Sequence, residues 1–443
     1  MGEPTGGTDY ILRAMRIIRT VLSTVLLCCG AAGLAGQTTA ADADVPGSQI
    51  RVALVTIGPG ALAWDRFGHN AIWIQDPERR IDRLYNYGSY DFNAENFILR
   101  FVQGRMLYRL ASGDPDTAFR YYRSVNRSIW IQELNFTPAQ RIELRDFLLR
   151  NDLPENRDYR YDYYYDNCST RIRDALDQVL GGPIRRQTER RSLAATFRFH
   201  TQRLTSNNVW YYTGLLIALG PLVDRSITAW DEMFLPMSLR DHLRSVTVSN
   251  ADGSVQPVVA SERTLFESTA QPASQTPPAW LFGYLIVGVI LAGGLLWLGG
   301  NAAGSKGSRV GFAALATSWT FLVGALGTVL FGIVTATDHT AAYWNENLFL
   351  FNPLSLALAV AVPLLVGGVG WIQRPAVVLA VAVAGLSVLG FVAQALPWLD
   401  QVNGQLYALV LLPNIAVGVG VYRLSRGAGS REQGAGSGCT VNC

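Results

Sequence analysis

Nucleophilic thiol chemistry needs a thiolate, a base within hydrogen-bond reach and a polar group that orients the base. Two stretches of this 443-residue chain offer the first two parts. Asp166-Asn167-Cys168-Ser169-Thr170-Arg171 follows a tyrosine-rich run, residues 159–165, and opens an amphipathic segment that ends at Gly181-Gly182. Asp166-Asn167 and Ser169-Thr170 form a capping context, which puts Cys168 at a helix start. Free backbone N–H groups and the positive end of the helix dipole favour the thiolate there. About a hundred residues earlier, His69 heads the apolar run Asn70-Ala71-Ile72-Trp73-Ile74 and is the candidate base. Asn70, Asp91 and Asn86 are candidates to orient it, and Asn167 and Ser169 are candidate supports beside the nucleophile. N–H groups near Cys168 and Ser169 would hold an oxyanion. The bland alternatives are a small buried hydrophobe at Cys168 and a turn histidine at His69.

The other residue types narrow the chemistry. Cys28 and Cys29 lie in an N-terminal apolar run and Cys439 and Cys443 in the polar tail, so Cys168 has no disulfide partner in its own domain. No two of the four histidines have metal-ligand spacing, so neither a metal nor another cofactor is expected. His200 and His242 read as surface residues of helical stretches. The net charge of +3 points to no particular partner, and no nucleic-acid module is recognisable.

Charge is unevenly spread, and that sets the domain organisation. Residues 1–43 carry Arg13, Arg16 and Arg19 ahead of an apolar run at 21–36 and small-residue cleavage sites, as in a signal peptide or signal anchor. Residues 44–248 hold strand patterns at 50–57, 71–74, 84–87 and 105–110. A helix over 139–150 begins at Thr137-Pro138, and residues 185–246 read as mostly helical. Residues 208–222 are apolar enough to lie in a groove or near a membrane surface. Residues 249–278, rich in Pro, Ser and Gln, read as a linker or an extended segment.

Five apolar runs follow, near 279–299, 310–334, 353–371, 375–396 and 404–423, each about long enough to cross a bilayer. They make residues 279–426 a transmembrane domain and 427–443 a cytoplasmic tail. Lys306, Arg309, Arg374, Arg423 and Arg426 all fall on one side, whereas 335–352 and 397–403 carry no Lys or Arg. By the positive-inside rule the Cys168 domain is outside. His339, Asn345 and Asn347 belong to an outer loop on the same side. That loop reads as a surface facing the Cys168 domain or its lipid-side substrate.

Phe67-Gly68-His69-Asn70, Tyr85-Asn86-Tyr87-Gly88, residues 101–110 with Gly104 and Arg105, and Asn167-Cys168-Ser169-Thr170 together carry a resemblance. Over residues 50–200 the chain resembles the Lnb N-terminal periplasmic domain family. The order, His first and Asn-Cys at a later helix start, is similar to that of circularly permuted papain-like thiol enzymes. These include lecithin:retinol acyltransferase-type proteins and relatives of the NlpC/P60 peptidases. The resemblance implies an α+β permuted papain-like (NlpC/P60-like) extracytoplasmic domain followed by an all-α five-helix transmembrane domain. It implies Cys168 as nucleophile and His69 as base, and leaves the third residue open. The implied activity is acyl transfer through a Cys thioester, from membrane phospholipid or lipoprotein to a lipoprotein amine or other acceptor. The implied place is the bacterial inner membrane, with the N-terminal domain in the periplasm. Two alternatives stay open: a periplasmic NlpC/P60-like cysteine amidase or peptidase acting on cell-wall peptides, and a non-enzymatic envelope sensor module.

Overall fold

The computed structural model describes residues 45–90, 95–250 and 252–436, with side chains as far as Arg426. The expected signal segment, Asp91, Cys28, Cys29, Cys439 and Cys443 lie outside the described residues. The first strands are β1 (Arg51–Ile57), β2 (His69–Asp76), β3 (Ile81–Ser89), β4 (Leu107–Gly113), β5 (Ile129–Leu134) and β6 (Asp158–Arg160). β7 (Ser192–Thr196) pairs with β8 (Ser226–Thr228), and β9 (Thr247–Ser249) with β10 (Val255–Pro257), as two small ribbons. β11 (Val259–Phe266) joins the first six in one antiparallel sheet of order β11-β5-β1-β2-β3-β4-β6.

Both faces of this sheet are covered, which is why β1 reads as a continuous apolar run rather than an alternating one. Val52, Leu54, Ile72 and Ile74 face one core. Leu144 and Leu148 of α3 (Pro138–Asn151) and Ile172 and Leu176 of α4 (Cys168–Leu180) fill it from the other side. Val55, Ile57, Ala71 and Ile131 face a second core with Phe119 of α2 (Pro115–Ser124). Ahead of α2 comes the six-residue helix α1 (Phe97–Val102). After α4 the chain runs through the short helices α5 (Pro183–Thr188), α6 (Phe197–Thr205), α7 (Val209–Ala218), α8 (Ala229–Glu232) and α9 (Pro236–Leu243).

Of the two readings of 249–278, a linker or an extended segment, the second holds over part of the stretch. Its residues 259–266 are the edge strand β11, registered on β5 from Val259↔Leu134 to Phe266↔Ile129. The edge is mostly solvated, so it needs no apolar period. Glu262 and Arg263 on it are the kind of charge that keeps an edge from pairing with another chain.

Helices α10 (Leu281–Asn301), α11 (Lys306–Ala336), α12 (Leu354–Val366), α13 (Gln373–Ala393) and α14 (Gly404–Gly436) form the C-terminal part. Five segments there are long and apolar enough to cross a membrane. Close packing rests on small residues, as expected where lipid removes the hydrophobic drive. A Cβ on Gly327 would sit 2.6 Å from the Asn352 nitrogen, and one on Gly288 2.4 Å from the Ala408 carbonyl oxygen.

α7 joins the two parts. Its side chains Tyr212, Leu216 and Ile217 belong to the core of the membrane helices, and the Tyr212 ring meets Trp280 at 4.9 Å. The carbonyls ending a helix have no partner inside it. Here Asn347 Nδ2 donates to the carbonyls of Leu216 and Ile217, and Asn345 Nδ2 to those of Ile217 and Ala218. Gln401 Nε2 donates to Leu219. Beside this junction the Gly220 N–H donates to the Ala341 carbonyl at 2.8 Å, and a Cβ on Gly220 would stand 2.2 Å from the Tyr343 carbonyl oxygen. Asn347→Ala is expected to lower stability by about 1–3 kcal/mol for each buried group left unpaired. The check is a lower melting temperature of the detergent-solubilised protein, with Gln at the same position recovering part of the loss.

Candidate active site

Cys168 is the first residue of α4. Asn167 caps that helix: its Oδ1 accepts from the N–H groups of Ser169 (2.8 Å) and Thr170 (3.0 Å), and Thr170 Oγ1 accepts from the Asn167 N–H. Asn167 Nδ2 donates to the carbonyls of Tyr163 and Phe234, so the cap also fixes the chain on both sides. Ser169 Oγ lies 3.0 Å from Asn70 Oδ1 and 2.7 Å from the Met233 carbonyl oxygen, and Asn70 Nδ2 donates to Thr56 Oγ1. Asn70, Asn167 and Ser169 are all buried. They pin the start of α4 to the start of β2, where His69 stands.

The sheet opens to receive the cysteine. Pairing of β2 with β3 starts at Ile72↔Tyr85, two residues inside Asn70, and β3 shifts register against β4 between Asn86 and Ser89. Gly88 lies in that irregular stretch with φ +90°, and a Cβ on it would sit 3.2 Å from the Cβ of Cys168. Only glycine combines that dihedral with that approach. The backbone N–H of Asn70, freed at the opening, faces the Cys168 sulfur, as do those of Ser169 and Cys168 itself.

His69 Nε2 is 3.1 Å from Asn86 Oδ1, and Asn86 Nδ2 donates to the Leu84 carbonyl. The second bond fixes the amide with its oxygen toward the ring. The network therefore assigns the proton to Nε2 and leaves Nδ1 as the basic atom. Of the expected orienting residues, Asn86 is the one at the ring. Asn70 acts on Ser169 instead, and Asp91 is among the residues not described.

Electrostatics correct one expectation. Protein atoms crowd Cys168, and burial pushes its thiol up to about 11 although the three N–H groups and Arg127 pull it down. Burial, then Arg127, push the His69 imidazole down to about 4, against the Asn86 hydrogen bond. The resting pair is neutral thiol and neutral imidazole, because a helix start stabilises a thiolate by less than burial costs it. The Ser169 N–H also leaves the expected oxyanion set, being held by Asn167.

Arg127 carried no signal in the sequence. It is buried, donates from Nε to the Gly58 carbonyl and from Nη1 to Asp65 Oδ1, and lies 5.3 Å from the Tyr122 ring centre. Only its charge reaches the site. His200 and His242, expected at the surface, are also turned inward: their Nε2 atoms lie 3.2 and 2.6 Å from the Glu232 carboxylate. Burial raises that carboxyl and the two imidazoles hold it at about 2. This knot directly precedes Met233 and Phe234, the residues whose carbonyls receive Ser169 and Asn167.

The outer-loop residues divide. Asn345 and Asn347 cap α7 and take no part at Cys168. His339 turns toward the site: its ring stacks on Tyr163 at 6.3 Å, and Nε2 is 3.0 Å from the Phe101 carbonyl oxygen. Tyr163 meets Tyr161 at 6.0 Å, and Tyr161 stacks on Tyr108 at 4.2 Å. The alternate tyrosines of 159–163 thus line one wall between Cys168 and the membrane loop.

With the other four cysteines replaced by serine, Cys168 is expected to react slowly with a small neutral thiol reagent at neutral pH. At a pKa of about 11 roughly one thiol in ten thousand is ionised there. The rate should rise about tenfold per pH unit toward that value. Arg127→Met should push the rise still higher in pH. A plateau near neutrality would contradict the neutral pair.

No curated protein and no solved structure matches the chain. The five spans and the periplasmic family of the N-terminal domain make this a multi-pass membrane protein of the cell envelope with its N-terminal domain in the periplasm. Residues 37–207, which hold His69, Asn86, Arg127 and Cys168, match the Lnb N-terminal periplasmic domain family.

Proposed function

We propose that the protein is a thiol acyltransferase of the inner membrane, with a permuted papain-like periplasmic domain. In this reading it moves an acyl chain from a phospholipid or lipoprotein ester to a lipoprotein amine. One observation carries it: Cys168 stands at a helix start in the opening between β2 and β3, its sulfur faced by the N–H of Asn70, the residue next to His69, and a tyrosine wall leads from it to the membrane loop.

The steps follow from the atoms present. His69 Nδ1 takes the Sγ proton as the sulfur adds to the ester carbonyl carbon. The oxygen that becomes negative is received by the N–H groups of Cys168 and Asn70, which face the sulfur in the resting site. The C–O bond of the ester breaks, and the imidazolium returns its proton to the departing alkoxide. A thioester on Cys168 remains. The acceptor amine adds to that carbonyl, the C–S bond breaks, and the amine proton passes by way of His69 to the thiolate. Asn86 keeps the ring in the tautomer that can do both. A thiol that is neutral at rest suits this order, since proton transfer accompanies attack. The tyrosine wall favours an acyl chain over a polar cell-wall peptide.

The test is transfer of a labelled acyl chain from phospholipid to a diacylglyceryl lipopeptide in proteoliposomes. Cys168→Ala should abolish it, and His69→Gln should slow it by about a hundredfold or more. Asn86→Ala removes one hydrogen bond of about 1 kcal/mol and should cost roughly fivefold. Full transfer by Cys168→Ala would refute the proposal. Because His69 is held near 4, the rate should stay level as pH falls through the ordinary histidine range and drop only toward that value. Arg127→Met removes a cation, raises the imidazole pKa and should move that acid limb upward.

A further inference from the structure

Helix α1 is out of place in water. Ile98, Leu99, Phe101 and Val102 are 69%, 53%, 46% and 56% exposed, and none of its residues is buried. Four large apolar side chains on so short an element mark an interaction surface. What it meets follows from its level relative to the spans. Residues 310–334 of α11, at about 1.5 Å per residue, cover roughly 37 Å, against about 30 Å of hydrocarbon. Asp338 and His339, just past the end of α11, therefore stand among the lipid headgroups. Both hold the end of α1. The Asp338 N–H donates to the Gln103 carbonyl at 2.8 Å, and His339 Nε2 lies against the Phe101 carbonyl. A Cβ on Gly104 would come within 2.7 Å of the His339 nitrogen. Exposed Trp344 in the same loop is the residue type that marks a membrane interface.

The charges beside α1 are those of a phosphate site. Arg105 Nε and Arg160 Nη2 both donate to Asp338 Oδ2, at 2.8 and 2.6 Å, and both guanidinium groups stay exposed. Together they hold the carboxyl below the usual range. Two cations on one carboxylate leave a net positive charge, and Arg100 on α1 adds another. Asp162, which accepts from the N–H groups of Tyr164 and Tyr165, adds a second negative charge, so the three arginines against two carboxylates keep one net positive charge. A row of rings then leads inward. Phe97 meets Tyr90 at 6.2 Å, Tyr90 meets Tyr108 at 5.3 Å, and Tyr108 stacks on Tyr161 near Cys168.

We propose that α1 sinks into the outer leaflet of the membrane, that Arg100, Arg105 and Arg160 receive the phosphate of a phospholipid there, and that an acyl chain of this lipid reaches Cys168 along the Tyr90–Tyr108–Tyr161 row. The insertion stands on α1 and its ties to the membrane loop alone. The route to Cys168 rests on the acyl-transfer reading and names its donor as a bilayer phospholipid.

The experiment uses the full chain in nanodiscs, with the native cysteines replaced, Cys168 by Ala among them, and a bimane probe on Ile98→Cys. Lipids carrying a doxyl quencher high on the acyl chain should quench this probe at least twice as strongly as one on Val255→Cys, on the far ribbon. Equal quenching at the two sites would overturn the insertion and leave α1 to a protein partner. A second arm, in protein with Cys168 restored, replaces Arg105 and Arg160 with Gln and measures acyl transfer from bilayer phospholipid. The KM for that lipid should rise at least tenfold with little change in kcat, and an unchanged KM would overturn the phosphate site. Quenching at Ile98→Cys with no acyl transfer by the unaltered protein would refute the acyl-transfer reading and the route while leaving the insertion standing.

Discussion

Four carbonyls, those of Leu216, Ile217, Ala218 and Leu219, end α7 with no helical partner, and three side-chain amides from the membrane domain supply all of them. An unpaired carbonyl in so apolar a place is expensive, so the amides of Asn345, Asn347 and Gln401 make the position of α7 nearly obligatory. Gly220 brings the backbones into contact beside them, and the buried Arg198–Asp224 pair ties the same turn to Val402. The periplasmic domain is consequently a fixed cap on the spans rather than a module on a tether. Its distance from the lipid is set by hydrogen bonds.

That fixity gives the cysteine site its orientation. Each local irregularity around Cys168 has a partner irregularity: the pairing gap at Asn70, the register shift in β3, and Gly88 at φ +90°. Together they let the start of a capped helix come close against the backbone of β2 and β3. The polar groups there are used for position first. Asn167 holds the helix start, Asn70 and Ser169 hold the strand to the helix, and Asn86 holds the ring. Few donors are left over, namely the N–H groups of Cys168 and Asn70, and these suit an oxyanion. The cost of crowding the site is a thiol and an imidazole that both rest neutral.

Much of this was legible in the sequence where the signal is local. The spans follow from runs of apolar residues, the α4 start from Asn167 and Thr170, and the α3 start from Thr137 and Pro138. His69 and Cys168 stood out by type and setting, and Asn86 was already among the candidates to orient the ring. What escaped depends on contacts distant in the chain. β11 is a solvated edge strand without an apolar period. His200 and His242 look like surface residues until Glu232 is placed between them. Asn345 and Asn347 have the composition of a functional loop, yet their amides go to the end of α7. Arg127 reaches the site only by charge, which no motif records.

The claim that most depends on all of this is that Cys168 carries the acyl group. Mass spectrometry of the unaltered protein, incubated with phospholipid vesicles and no acceptor, tests it directly. The account predicts one added acyl chain on the peptide containing Cys168, removed by neutral hydroxylamine as a thioester is. An unmodified Cys168 peptide, or the same added mass on the Cys168→Ala protein, would contradict it.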